Sequence, residues 1–139
     1  MDDTNATPPP EATAWDLLAT QSVGRLATSL EREPDIFPVN FVVDGETLVF
    51  RTGTGTKLFE LVANSHVAFE TDSWVPGKDG WSVVVKGTAE VLEHIADIEA
   101  AEKLPLTPWI PTIKTHFVRI TPSEVSVRRF TFGPEPELW

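Results

Sequence analysis

From Pro38 to Thr52 the chain alternates apolar and polar residues on both sides of Asp44-Gly45. One flank sets Val39, Phe41 and Val43 on one face of a strand. The other sets Leu48, Phe50 and Thr52 on one face and Val49 and Arg51 on the opposite one. Asp-Gly at the centre of such a pattern marks a tight hairpin, because it tolerates the positive φ angles that two-residue turns require. Strands joined this way are antiparallel; parallel neighbours need a crossover of about a dozen residues or more, usually a helix. The hairpin therefore argues against a doubly wound parallel sheet.

The remaining segments extend this reading. Thr13 and Asp16 form a capping-box pattern ahead of Trp15, Leu18 and Ala19, which predicts a short helix. Val23 to Leu30 reads as a strand, followed by an acidic turn over Glu31 to Asp35. After Gly53 and Gly55, Lys57 to Ala63 reads as a short amphipathic helix with Leu58, Leu61 and Val62 inward, ending near Asn64. His66 to Thr71 and Trp81 to Leu92 read as strands, with Gly87 marking a bulge or a close backbone approach. Residues 94–104 have a helical pattern. A proline-rich loop with Trp109 follows, and Thr115 to Phe132 forms the last strand region, broken or bent at Pro122. The expectation is a mainly β fold: a six-stranded antiparallel barrel with short helices at its rim.

A length of 139 residues fits one domain. Residues 1–11, with three consecutive prolines, read as a flexible N-terminal arm; residues 12–132 form the domain; residues 133–139 form a C-terminal tail whose Trp139 is either an anchor or a remnant. Without cysteine, disulfides and thiolate chemistry are excluded. The net charge of −10 disfavours nucleic acid, which needs basic clusters. No apolar run reaches membrane-spanning length, and the N-terminus lacks a signal-peptide pattern, so a cytoplasmic location is the expectation. His66, His94 and His116 lack metal-ligand spacing, so no metal site is expected.

The chemistry concentrates in residues 50–64, FRTGTGTKLFELVAN. A strand ends, glycines relax the backbone and a helix opens at Thr56-Lys57. Unpaired amides at a helix start attract anions, and Thr52, Thr54, Thr56 and Lys57 add hydroxyl donors and a positive charge. This is either a phosphate seat or a glycine-relaxed turn with a solvated lysine; the order is not that of a P-loop. Arg51 reaches over a ligand or lies in solvent. Asn40, on an otherwise apolar strand, reads a heterocycle edge or makes a structural hydrogen bond. Trp81 shares a face with Val83 and Val85 and is core or a platform for a flat cofactor. Trp109 covers a pocket or a partner subunit. Arg128 and Arg129 take opposite faces of the last strand.

GRLAT (24–28), residues 38–70, GWSVVVKGTAEVL (80–92) and KTHFVRITPSEVSVRRF (114–130) together resemble the pyridoxamine 5′-phosphate oxidase-like family of flavin-binding split barrels, in the branch of small actinobacterial flavin and deazaflavin oxidoreductases. The resemblance spans residues 13–132. It implies a six-stranded split-barrel homodimer with cofactor sites at the subunit interface. It also implies FMN or, alternatively, the deazaflavin coenzyme F-420, and hydride transfer with an unidentified small organic substrate; charge and hydropathy leave no nucleic-acid or membrane partner expected. By the same resemblance Thr52, Thr56 and Lys57 hold the phosphate; Arg51, Lys57 and Arg128 are the cations that would meet the longer acidic tail of the deazaflavin. Pro38, Val39 and Asn40 run along the ring system, and Trp81 and Ser82 reach the partner subunit's cofactor. Trp109 and Arg128 shape the substrate pocket. Arg128 stands where the true oxidase has a tryptophan, and the terminal arginine–histidine pattern is absent, which argues against pyridoxamine phosphate oxidation itself. The alternative class is a non-catalytic protein that binds or stores a flavin, haem or tetrapyrrole.

Overall fold

The computed structural model describes residues 8–9, 12–107 and 114–137. Six strands close an antiparallel barrel: β1 (Val23–Leu30), β2 (Glu33–Asp44), β3 (Thr47–Thr52), β4 (His66–Val75), β5 (Asp79–Val91) and β6 (His116–Thr131), in the order β1-β2-β3-β6-β5-β4. Three helices accompany them: α1 (Ala14–Ala19), α2 (Thr56–Ala63) and α3 (Ile95–Glu102). Among the described residues, no helix is long and apolar enough to cross a membrane.

The hairpin forms as its sequence dictates. Phe41 pairs with Phe50 and Asp44 with Thr47, while Gly45 takes φ +61° at the turn. Leu48 and Phe50 are fully buried with Leu26, Phe41, Phe69, Val83, Val85 and Ile120 in the barrel core. The capping box at Thr13 is complete, with reciprocal bonds of 3.2 and 2.9 Å between Thr13 and Asp16, and α1 drives Leu17 and Leu18 into that core. A second cluster lies outside the barrel, where Val49 and Phe117 meet Leu92 and Ala101 beneath α3.

Three expectations are corrected. The segment read as an acidic turn is a turn only at Glu31 and Arg32; β2 already begins at Glu33 and runs antiparallel to β1 through Pro34 and Pro38. The Phe41 amide donates to Ser22, so odd-numbered amides of β2 face β1 and even-numbered positions face away. Residues 33–40 pair with β1 alone, because β3 pairs only with residues 41–44. The two prolines thus turn their missing donors toward an open edge, where proline is tolerated. Of the break or bend expected at Pro122, β6 shows no break: the strand is continuous and its register shifts there. Pro122 lies opposite Gly87 at that shift, and a Cβ on Gly87 would lie 2.2 Å from the Thr121 carbonyl oxygen. The bulge absorbs the proline. Third, α2 does not bury Val62, which is 73% exposed; Glu60 takes an inward position beside Leu61.

The barrel is thus open along the first half of β2. Among the described residues, the second half of β6 likewise has no strand paired to it on the side where β3 pairs with its first half. There the ends of β4, β5 and β6 extend as a three-stranded arm carrying exposed Trp74, Val127, Phe130 and Phe132.

Candidate functional site

The strongest concentration of cationic and hydroxyl groups lies where β3 hands over to α2. Thr52, the last residue of β3, is buried; Thr56 opens α2 and is exposed; Lys57 follows and is half-buried. Gly55 precedes the helix at φ 153°, a conformation L side chains avoid, and no side chain caps the helix start. The first-turn amides therefore remain available to a ligand.

Lys57 extends over the open edge of β2, with Nζ 5.6 Å from the centroid of the Phe37 ring. Its ammonium is held below the usual lysine range, first by burial and second by the positive charge of Lys114. Lys114 immediately precedes β6, in the stretch that brings His116 opposite Thr52. Arg51 projects from the outer side of β3. Its guanidinium lies 4.9 Å over the Phe117 ring, and Nη2 donates a 2.8 Å hydrogen bond to the Lys114 carbonyl. Its Nε is buried and, among the described residues, has no hydrogen-bond partner. Arg51 is neither free in solvent nor stretched across the barrel; it braces the backbone that carries Lys114. Two cations, Lys57 and Lys114, thus meet beside one helix start, Arg51 braces the second of them, and the burial of Lys57 leaves its charge in want of an anion.

The other residues singled out from the sequence fall elsewhere. Pro38 is exposed on the open half of β2, Val39 is buried in the core, and Asn40 is half-buried with its Nδ2 3.4 Å from the Ser22 carbonyl. Trp81 is 3% exposed and belongs to the barrel core, so its indole packs with Val83 and Val85. Ser82 faces outward in a row with Asp72 on β4 and Arg128 on β6. His116, opposite Thr52, and Arg128, opposite Ser82, are separated along β6 by roughly 40 Å of strand path at about 3.3 Å per residue. One chain therefore gathers Arg51, Thr52, Thr56 and Lys57 and holds Ser82 and Arg128 apart from them. Trp109 lies outside the described residues.

Sequence reasoning passed over Lys114, Glu60 and an outer-face cluster of Arg25, Glu70 and Asp72. Arg25 Nη1 lies 3.3 Å from Glu70 Oε1 and 3.2 Å from Asp72 Oδ1. Glu70 is pushed up to about 7, first by burial and then by hydrogen bonding and repulsion from Asp72, against the pull of Arg25. Alternation along β4 places both acids on one face, but only the β1–β4 pairing brings Arg25 opposite Glu70. Lys114 carried no local signal, since its approach to Lys57 depends on the pairing of β3 with β6.

A six-stranded barrel with an open strand edge and a cationic helix start beside it defines a class of small split barrels. The chain belongs to the pyridoxamine 5′-phosphate oxidase family, whose model matches residues 10–129. An uncharacterized protein of Mycobacterium tuberculosis H37Rv is 48% identical over 96 residues, covering 69% of this chain and 86% of its own. A presumed pyridoxamine 5′-phosphate oxidase from Corynebacterium glutamicum is 45% identical with a TM-score of 0.78, covering 86% of this chain and 89% of that one. The FAD binding protein from Mycobacterium smegmatis is 40% identical with a TM-score of 0.74, covering 87% and 98%.

Proposed function

We propose that this protein is a flavin-binding oxidoreductase, acting as a homodimer on a small organic substrate. The observation that carries the reading is the meeting of Lys57 and Lys114, the latter braced by Arg51, beside the uncapped start of α2. Lys57, Thr56 and the first-turn amides would hold the phosphate end of FMN, with Thr52 beneath them. Lys57, partly desolvated beside a second cation, regains a counter-charge when a phosphate binds. The open half of β2, with Pro38 and the backbone of Val39 and Asn40, offers a flat wall beside the seat. When bound, the cofactor supplies the hydride chemistry; the protein positions and tunes it. FMN is the first candidate, and the deazaflavin F-420 the second, since its longer acidic tail matches the additional cations Arg51 and Lys114. That a 40% identical relative is an FAD binding protein supports the flavin reading and adds FAD to the ligands to be compared.

The separation of the site residues supports a second subunit. Ser82 and Arg128 complete a site with Thr52 and Lys57 only if they come from another copy. The apolar arm of Trp74, Val127, Phe130 and Phe132 supplies a surface for that association. Titration with FMN, FAD and F-420, followed by turnover with a reduced cofactor and candidate acceptors, tests the proposal. Binding with electron exchange is the expected result. Binding of none of the three overturns the flavin reading, and a bound cofactor that never exchanges electrons assigns the protein to binding or storage instead.

A further inference from the structure

Glu60 is an acid buried on the helix that forms the seat. Its side chain is 6% exposed, and its Oε2 accepts a 2.6 Å hydrogen bond from the Thr28 hydroxyl on β1. Thr28 is paired in register with Asp35 on β2, which brings the Asp35 carboxyl to the same side of the strand pair as the Glu60–Thr28 bond. A second carboxyl nearby disfavours the charged form of a buried one. Further along the helix, Asn64 donates 2.9 Å to the Ser29 carbonyl, so α2 is tied to β1 at its middle and its end. No cap holds its beginning. Thr56 and Lys57 lie one turn before Glu60, and their orientation depends on that middle tie.

We propose, on the reading of α2 as a phosphate seat, that Glu60 is its positioning residue: its carboxyl, bonded to Thr28 beside Asp35, locks the first turn of α2 to the barrel when protonated, and loss of the proton loosens the turn and weakens phosphate binding. The surroundings support this sign. Asp35 raises the proton affinity of Glu60 most, Thr28 opposes it, and burial adds to Asp35. Lys57 lies one turn away on the same helix. On β5, which α2 also packs against, Lys86 and Glu90 are exposed, and Lys86 is 3.9 Å from Glu124. Among the described residues, Asp35 is the charge that acts on Glu60.

The test compares wild type with Glu60→Gln, which keeps a hydrogen-bonding side chain without the titration, and with Asp35→Asn, which removes the exposed partner and spares the core. FMN affinity is measured from pH 5 to pH 8, and the ionisation of the FMN phosphate cancels in the ratio to each variant. The ratio of wild-type to Glu60→Gln dissociation constants should rise about tenfold over that range. Asp35→Asn should lack the rise as well. A flat ratio overturns the proposal. In the ligand-free protein, intrinsic-rate-corrected hydrogen exchange at the α2 amides should quicken with pH in wild type and stay constant in Glu60→Gln. This second readout decides the Glu60 lock even if FMN fails to bind, which would instead overturn the seat.

Discussion

The ammonium of Lys57 lies over the ring of Phe37, 5.6 Å from its centroid, joining the start of α2 to the unpaired half of β2. One residue belongs to the helix that offers free amides and the other to the strand edge that leaves the barrel open. Their meeting makes Lys57→Met the most direct test of the seat. Burial and Lys114 depress the proton affinity of Lys57, so its charge costs the empty fold stability at neutral pH, a cost relieved as pH rises through the folded value. The substitution should raise the melting temperature of the ligand-free protein at pH 7. It should also weaken FMN by about tenfold to a hundredfold, the range of a charge-assisted bond, with little effect on riboflavin. Equal losses for both ligands would contradict the phosphate role.

Glu70 sets a pH dependence of stability. Its folded value, about 7, stands above the ordinary 4.5. A raised carboxyl favours the protonated fold, so its contribution is complete below 4.5 and is lost as pH rises through about 7. Glu70→Gln should therefore gain melting temperature relative to wild type between pH 5 and pH 8, and differ little below pH 4.5. Thermal unfolding across that range checks the sign. Because Glu70 and Arg25 are partly exposed, added salt should shrink the difference.

Gly87 is held by a close approach that no side chain fits. A Cβ there would meet the Thr121 carbonyl oxygen at 2.2 Å and the Pro122 Cα at 2.9 Å, both backbone atoms. Gly87→Ala should cost about 1–3 kcal/mol or more, with a clear drop in melting temperature. Gly133→Ala, where nothing lies within 4 Å, serves as the neutral comparison.

Val127 tests the proposed association. It sits on the extended arm and is half-exposed in the single chain, so a charge there leaves the barrel core untouched. Sedimentation of wild type should give the mass of two chains and of Val127→Asp the mass of one. FMN affinity should fall in parallel. A variant that stays dimeric with full affinity would remove the arm from the interface.

Thr13→Ala should lower stability by about 1 kcal/mol, because the reciprocal bonds with Asp16 start the helix that buries Leu17 and Leu18. Chemical denaturation measures it.

Local chemistry alone determined much of this protein. Asp44-Gly45 set the hairpin, Thr13 and Asp16 set the first helix, Gly87 marked the bulge, and Gly53 to Lys57 marked the helix start with its hydroxyls and charge. These features rest on neighbours a few residues apart, where φ preference, capping and alternation suffice. What the tertiary structure decided depends on pairing across long separations. Glu60 replaced Val62 on the inner side of α2 because a hydroxyl 32 residues away waited there. Trp81 went into the core, Lys114 came beside Lys57, and β6 carried Arg128 far from Thr52 because strand register, which no local pattern encodes, fixed which residues share an end of the barrel.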